Sequence, residues 1–358
     1  MTLIALTLNH GYPVMMADLL ISSSESNGIM EIPTFVKGTD SLLVQMNKKP
    51  AALRQKLYVI NKRLCVALGG RGDQMYTFLN RISTFLKDDT FTYEEFHDFV
   101  LHYEKEDKDE LISIILMSKV VENGFEFTIR GIGEYQEITN DRYERAIAAG
   151  SGKEQFLDFL NQKTPFYTNI TDSDGALVLN QYLISYWLGL ETVSAESLKN
   201  NWGAGFEMIT FKDGKFQKLH EYTVVLLSGR TGKGIHFQPA PINTIMAEYF
   251  DQIFIIRAFA HGIEKVFLVP ALNETRDEVI LPNHEPNHET LLITYLIEDV
   301  DNRKRYFPSI VMPRNKNVFN ESPIIIERVN DRLLIYTDPK TDEYIHKLVV
   351  QQSNSEAK

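Results

Sequence analysis

The chain has one cysteine, Cys65, in 358 residues. An internal disulfide is therefore excluded, and this usage fits a reducing compartment, the cytoplasm. Cys65 lies in the apolar run 64–68, so a buried structural thiol is expected rather than a nucleophile. Long apolar runs are also missing. Nothing approaches the ~20 residues needed to span a bilayer, and the richest segment, 250–259, is interrupted by Asp251, Gln252 and Arg257. Met1 is followed by a strand pattern with no basic region, so no secretory signal is expected. There is no basic stripe with interleaved aromatics. With 37 Lys and Arg against 48 Asp and Glu, the formal charge is −11, which argues against a nucleic-acid surface. The turn at 229–234, GRTGKG, lacks the GxxxxGK[ST] spacing of a phosphate loop. His284 and His288 are separated by Pro286, which prevents a helix that would place both rings on one face. No metal or cofactor is expected, and no internal repeat is visible.

The length allows about two domains, or one large domain with an extension. The opening residues, MTLIALTLNHGYPVMMAD, draw attention first. Residues 3–8 read as a strand, His10-Gly11-Tyr12-Pro13 as a turn, and 14–21 as the returning strand. Such a hairpin carries Asp18 back beside Thr2. An N-terminal Thr, exposed once Met1 is removed, joins a hydroxyl nucleophile to an α-amine of near-neutral pKa that can take its proton. The same residues also read as an ordinary opening hairpin.

Residues 22–50 are rich in Ser, Gly, Lys and Pro and read as an irregular excursion, with one short strand at 41–45. Residues 56–60 and 64–69 read as paired strands, and Gly69-Gly70 leads into a helix with Met75, Phe78, Leu79 and Ile82 on one face. Thr92 opens a capping box for a second helix. Strands follow at 111–121 and 125–131 around Asn123-Gly124, then at 145–149, ending in Gly150-Ser151-Gly152. Two helices come next, the second over 176–190 with Leu179, Tyr182, Leu183, Tyr186 and Trp187 as its stripe. A hairpin at 206–211 and 215–219 closes this part. The order of strands, two helices, strands, two helices, strands suggests an α+β fold, two sheets sandwiched between two helical layers.

These residues together resemble the N-terminal-nucleophile hydrolases of the proteasome β-subunit and HslV type, over residues 2 to about 220. Members open with a nucleophilic Thr and place an Asp sixteen residues on, in a segment like AxDxxxT. Thr2 and Ala17-Asp18-Leu19-Leu20-Ile21-Ser22 match that spacing, with Ser22 for the last Thr. The family's catalytic Lys opens a strand reading like KKVxxIN, shortly before an Ala-Gly-Gly. Gln55-Lys56-Leu57-Tyr58-Val59-Ile60-Asn61 and Leu68-Gly69-Gly70 occupy those places. Gly150-Ser151-Gly152 matches the family's Gly-Ser-Gly. The stretch from about 23 to 52 is longer than usual.

The resemblance implies a four-layer αββα sandwich over residues 1–220; residues 221–358 exceed what it covers and read, from their strand-like runs, as a mainly β C-terminal extension. It implies roles as well. Thr2 is the nucleophile, and its amine is the base. The ammonium of Lys56 lowers the pKa of both, and Asp18 holds Lys56 charged. Gly69 offers an N–H to the oxyanion, Ser151 sits near the amine, and Ser22 binds an extended substrate backbone. A cytoplasmic threonine peptidase follows, acting on peptide or protein substrates. It would form a homo-oligomeric ring, with an unfolding ATPase as a possible partner.

One place departs from the pattern. Where the family carries Asp-x-x-Ser-Gly-Gly, this chain reads Lys199-Asn200-Asn201-Trp202-Gly203-Ala204-Gly205. Both the Asp and the Ser are missing there. A catalytically inactive assembly subunit and a hydrolase of small amides therefore stay open beside the peptidase. In the last third, residues 222–227, 265–269, 291–297, 323–329 and 332–336 read as strands. Residues 247–261 read equally as a helix or a buried strand.

Overall fold

A computed structural model describes residues 2–23, 31–35, 49–88, 90–106, 111–140, 143–162, 172–231, 235–237, 241–250, 252–274, 290–299, 304–306, 309–313, 324–329 and 332–337, with 343 and 347 as single positions. The expected strand at 41–45, His284 and His288, and the tail from 351 lie outside them.

The opening hairpin is β1 (Leu3–Asn9) and β2 (Tyr12–Asp18). His10 and Gly11 both have positive φ, 48° and 79°, as a two-residue turn between twisted strands demands. The return does not run on to residue 21. It stops at Leu19, and β3 (Leu20–Ser23) pairs with β4 (Lys49–Leu53) in a sheet of their own. Next come β5 (Leu57–Asn61), β6 (Leu64–Gly70), α1 (Gly72–Phe85) and α2 (Tyr93–Glu106). The capping box forms reciprocally: Glu95 N–H donates to Thr92 Oγ1 at 3.1 Å and Thr92 N–H to Glu95 Oε2 at 2.7 Å.

Then follow β7 (Leu111–Val121), β8 (Gly124–Ile132), β9 (Tyr135–Ile138), β10 (Arg145–Gly150), α3 (Lys153–Gln162), α4 (Ser173–Ser194), the single turn α5 (Glu196–Lys199), β11 (Phe206–Lys212) and β12 (Lys215–Lys218). The ambiguous 247–261 run is a hairpin, β15 (Asn243–Phe250) and β16 (Ile253–Ala260), turning at Gln252 with φ 66°. It belongs to an eight-stranded sheet with β13 (Glu221–Thr231), β14 (Ile235–Phe237), β17 (Ile263–Val269), β18 (Thr290–Asp299), β19 (Lys304–Tyr306) and β20 (Ser309–Pro313). The strands β21 (Ile324–Val329) and β22 (Arg332–Thr337) form a separate pair.

Three apolar clusters tie these sheets and helices together. Ile4, Met15, Cys65, Ala67, Ile114 and Phe211 join the six-stranded sheet, in the order β12-β11-β2-β1-β10-β9, to the four-stranded sheet β5-β6-β7-β8. The other face of the four-stranded sheet packs on α1 and α2 through Val66, Phe78, Ile82 and Phe96. The other face of the six-stranded sheet, with Leu3, Val14 and Met16, packs with α3 and α4.

The expected four-layer αββα sandwich is corrected here. Among the described residues the chain is mostly β, with twenty-two strands against five helices, arranged in several separate and mainly antiparallel sheets. The helix α4 is internal. It packs on β2 and β11 on one side and on β18 and β20 on the other. Asn180 accepts from Thr7 Oγ1 of β1 at 3.0 Å, and Ser185 shares a hydrogen bond with Thr294 of β18. The physical reason lies in the sequence of α4: Leu179, Tyr182, Leu183, Ile184, Trp187 and Leu188 are buried around the helix rather than along one stripe. A helix apolar on all sides needs cover on all sides, and Tyr222, Val224, Ile245 and Leu292 of the eight-stranded sheet supply it within the same cluster.

A side chain at Gly189 of α4 would press into that junction, since its Cβ would stand 3.0 Å from the Thr294 methyl. Gly189→Leu is expected to lower stability by about 1–3 kcal/mol through overpacking. Urea unfolding measures it, and an unchanged midpoint would contradict the internal placement of α4.

Candidate active site

Register brings the ends of the opening hairpin together. Ile4 pairs with Ala17, so Thr2 at the start of β1 and Asp18 at the end of β2 are neighbours. Thr2 Oγ1 donates to Asp18 Oδ1 at 2.6 Å. Lys56, just before β5, reaches the same point from the four-stranded sheet. Its Nζ donates to Thr2 Oγ1 at 2.7 Å, to Asp18 Oδ1 at 2.8 Å and to the Leu20 carbonyl at 2.7 Å. Three acceptors match the three N–H bonds of an ammonium. All three side chains are buried, Thr2 at 1% exposure and the other two at 0%.

Burial pushes the Lys56 amine below its ordinary value of 10.5, and the charge and hydrogen bond of Asp18 oppose that fall. Five donors converge on Asp18. Thr2 Oγ1, Leu3 N–H and Lys56 Nζ reach one oxygen; Leu20 N–H and Gly203 N–H reach the other, at 3.2 and 2.9 Å. A buried charge so saturated with partners is fixed in place.

Two glycines wall the threonine. A Cβ at Gly69 would overlap the Thr2 methyl, and one at Gly150, φ 88°, would overlap the Thr2 carbonyl. Ser151 Oγ reaches the Thr2 carbonyl at the long distance of 3.4 Å, and Gly152 N–H donates to the same oxygen at 3.3 Å. Ser151 therefore stands against the Thr2 backbone. Ser22 lies on β3, two residues beyond the carbonyl that Lys56 holds, and its buried hydroxyl has no hydrogen-bond partner among the described residues. Thus Thr2, Asp18, Lys56, Gly69 and Ser151 gather at one point, and Ser22 stands outside their hydrogen bonds.

Two buried carboxylates escaped the sequence reading. Glu207 of β11 accepts from Lys56 N–H at 2.7 Å, Leu57 N–H at 3.3 Å and Lys218 Nζ at 3.0 Å, and also from the Tyr249 hydroxyl. It fixes the backbone that presents Lys56. Burial and the charge of Glu207 hold the Tyr249 hydroxyl protonated, well above its ordinary range. The preceding residue, Gln55, donates from Nε2 to the carbonyls of Gln252 and Val269, both at 2.8 Å. The second carboxylate, Glu191 near the end of α4, accepts from Ala204 N–H in the loop that also binds Asp18. The available signal was a lone acid inside an apolar stretch, FEM for Glu207 and GLET for Glu191.

Compared with known proteins, the chain matches no family model and no curated protein sequence. Among the described residues no helix is long and apolar enough to cross a membrane.

Removing Asp18 while leaving Lys56 strands a buried ammonium. Asp18→Ala is expected to cost roughly 3–5 kcal/mol, and Asp18→Leu combined with Lys56→Met distinctly less. Denaturant titration decides it. A single variant as stable as the parent would mean that the pair is not buried as described.

Proposed function

We propose that the chain is a threonine-type hydrolase of the N-terminal-nucleophile class, with Thr2 as nucleophile once Met1 has been removed. The observation that supports this most is the Thr2 hydroxyl lodged between the Lys56 amine and the Asp18 carboxylate. In this reading Thr2 Oγ attacks a carbonyl carbon, and its proton passes to the Thr2 α-amine, directly or through water. Lys56, as an ammonium, favours the developing alkoxide, and Asp18 keeps Lys56 charged and oriented. The Gly69 N–H is assigned to the oxyanion. The protonated amine then gives its proton to the leaving nitrogen. Water hydrolyses the acyl ester, returning the hydroxyl to Thr2. No step calls for a metal or cofactor.

The resemblance carries the reading further. The substrate is a peptide or protein, the protein forms a homo-oligomeric ring in the cytoplasm that restricts access, and an ATP-driven unfoldase is its candidate partner. A second reading has its own observation. The stretch from Lys199 to Gly205 has neither the Asp nor the Ser with which the family supports the amine, which favours an inactive assembly subunit. A hydrolase of small amides uses the same chemistry on a different substrate.

The N-terminus separates these readings. An irreversible Thr-directed electrophile should label the native protein on an N-terminal peptide that begins at Thr2. Thr2→Ala should abolish labelling, and Lys56→Ala should slow it by about 100-fold or more. Met1 retained on protein from its native cell, or labelling at another residue, would exclude the Thr2 mechanism. Cleavage of acylated small molecules but not of peptides would select the small-amide reading.

A further inference from the structure

Glu191 is a buried acid, 1% exposed, on which three separate segments converge. Its carboxylate accepts from Thr34 Oγ1 at 2.5 Å, from Ser197 Oγ at 2.5 Å and from Ala204 N–H at 2.9 and 3.2 Å. The N–H one residue before, that of Gly203, donates to Asp18 Oδ2 at 2.9 Å. The carbonyls of Gly203 and Gly205 accept from Leu19 N–H, next to Asp18. This loop is not held by its own preference. Asn201, Gly203, Ala204 and Gly205 all have positive φ, 62°, 120°, 64° and 122°. Such a backbone persists only when its surroundings over-determine it. A Cβ at Gly203 would overlap the Glu191 carboxylate, so the glycine is required by that contact as well as by its φ.

The third segment, 31–35, belongs to the long excursion after β3. Ile32 enters the core, Asn243 Nδ2 donates to the Pro33 carbonyl at 3.2 Å, and Glu31 pairs with Lys265 at 3.1 Å. Through Thr34 this excursion, itself fastened to β15 and β17, reaches the loop that holds the site.

We propose that Glu191 is a positioning residue for the Thr2 site, fixing the 203–205 loop so that the Gly203 N–H holds Asp18, and tying the 31–35 segment to that loop. The kinetic part of this claim rests on the proposed N-terminal-nucleophile reading; the geometric part does not.

Burial raises the Glu191 carboxyl from 4.5 to about 7, against the lowering pull of Ser197, Thr34 and Ala204, with Asp18 adding to the rise. Asp18 is the one charged group among those causes. Neutral Glu191 still serves: its O–H can donate to a Thr34 or Ser197 hydroxyl turned to accept, while the other oxygen keeps the Ala204 N–H. Gln reproduces that neutral form. Because the folded state keeps the proton up to a higher pH than the unfolded chain, this group's stabilisation is complete below about 4.5. It is lost as pH rises through about 7.

The test compares Glu191→Ala, Glu191→Asp and Glu191→Gln with the parent. Ala, and Asp with its shorter reach, should slow electrophile labelling of Thr2 on the order of 100-fold. Gln should restore it to within a few-fold and should remove the fall in unfolding stability between pH 4.5 and about 7. A crystal structure of the Ala or Asp variant, whichever folds, should show the Gly203 N–H drawn away from Asp18. Parental labelling rates in Ala and Asp, a Gln variant as slow as they are, or an unmoved Gly203–Asp18 bond would overturn the proposal. If the parent itself is not labelled at Thr2, the functional reading fails, and the positioning claim is then decided by the variant structure alone.

Discussion

A lysine and an aspartate, both fully buried, share one hydroxyl. Charges removed from water are costly unless every lone pair and proton finds a partner in good geometry. That requirement explains much of the surrounding construction. Lys56 has three acceptors, and Asp18 has five donors, three of them backbone N–H groups; two of these, Leu20 and Gly203, are reached because β2 ends at Asp18 and the chain bends at Leu19. The bend that breaks the expected long strand is thus part of the solvation of Asp18.

The same constraint gives the eight-stranded sheet a place in the site. Lys56 lies between Gln55, anchored to the carbonyls of Gln252 and Val269, and Leu57, whose N–H together with that of Lys56 faces Glu207. Tyr249 of β15 donates to Glu207 from the same sheet. Lys218 approaches Glu207 as well, with its Nζ over the Tyr249 ring at 4.6 Å to the centroid. The strand end that presents the amine is therefore held by residues more than 150 positions away, as the Lys56–Glu207 separation of 151 illustrates. Internal burial of α4 does the mechanical part, because it joins the sheet of Thr2 to the sheet of Tyr249 through one continuous core.

Local features were legible in the sequence because they depend on neighbours. The opening hairpin followed from two apolar runs on either side of the turn at His10-Gly11, the helix at 93 from its capping box, and the turn at 124 from Asn-Gly. The meeting of Thr2 and Asp18 followed from hairpin register alone. Lys56 was legible only through the resemblance, since a lysine before a strand is usually solvated. The excess of strands, and the covering of α4 from both sides, were not legible, because an apolar helix states that it is buried and not by what. Residues 247–261 failed to declare a period for a related reason: strands buried on both faces carry no alternation. Glu191 and Glu207 were invisible because nothing near them in the chain names the N–H groups they satisfy across the fold.

The most direct test is the separation between Lys56 Nζ and Thr2 Oγ1 in a crystal structure of the chain whose N-terminal residue is Thr2. The account predicts a hydrogen bond close to the present 2.7 Å, with Asp18 accepting from both groups. A separation beyond about 8 Å, past any direct or one-water contact, would contradict it.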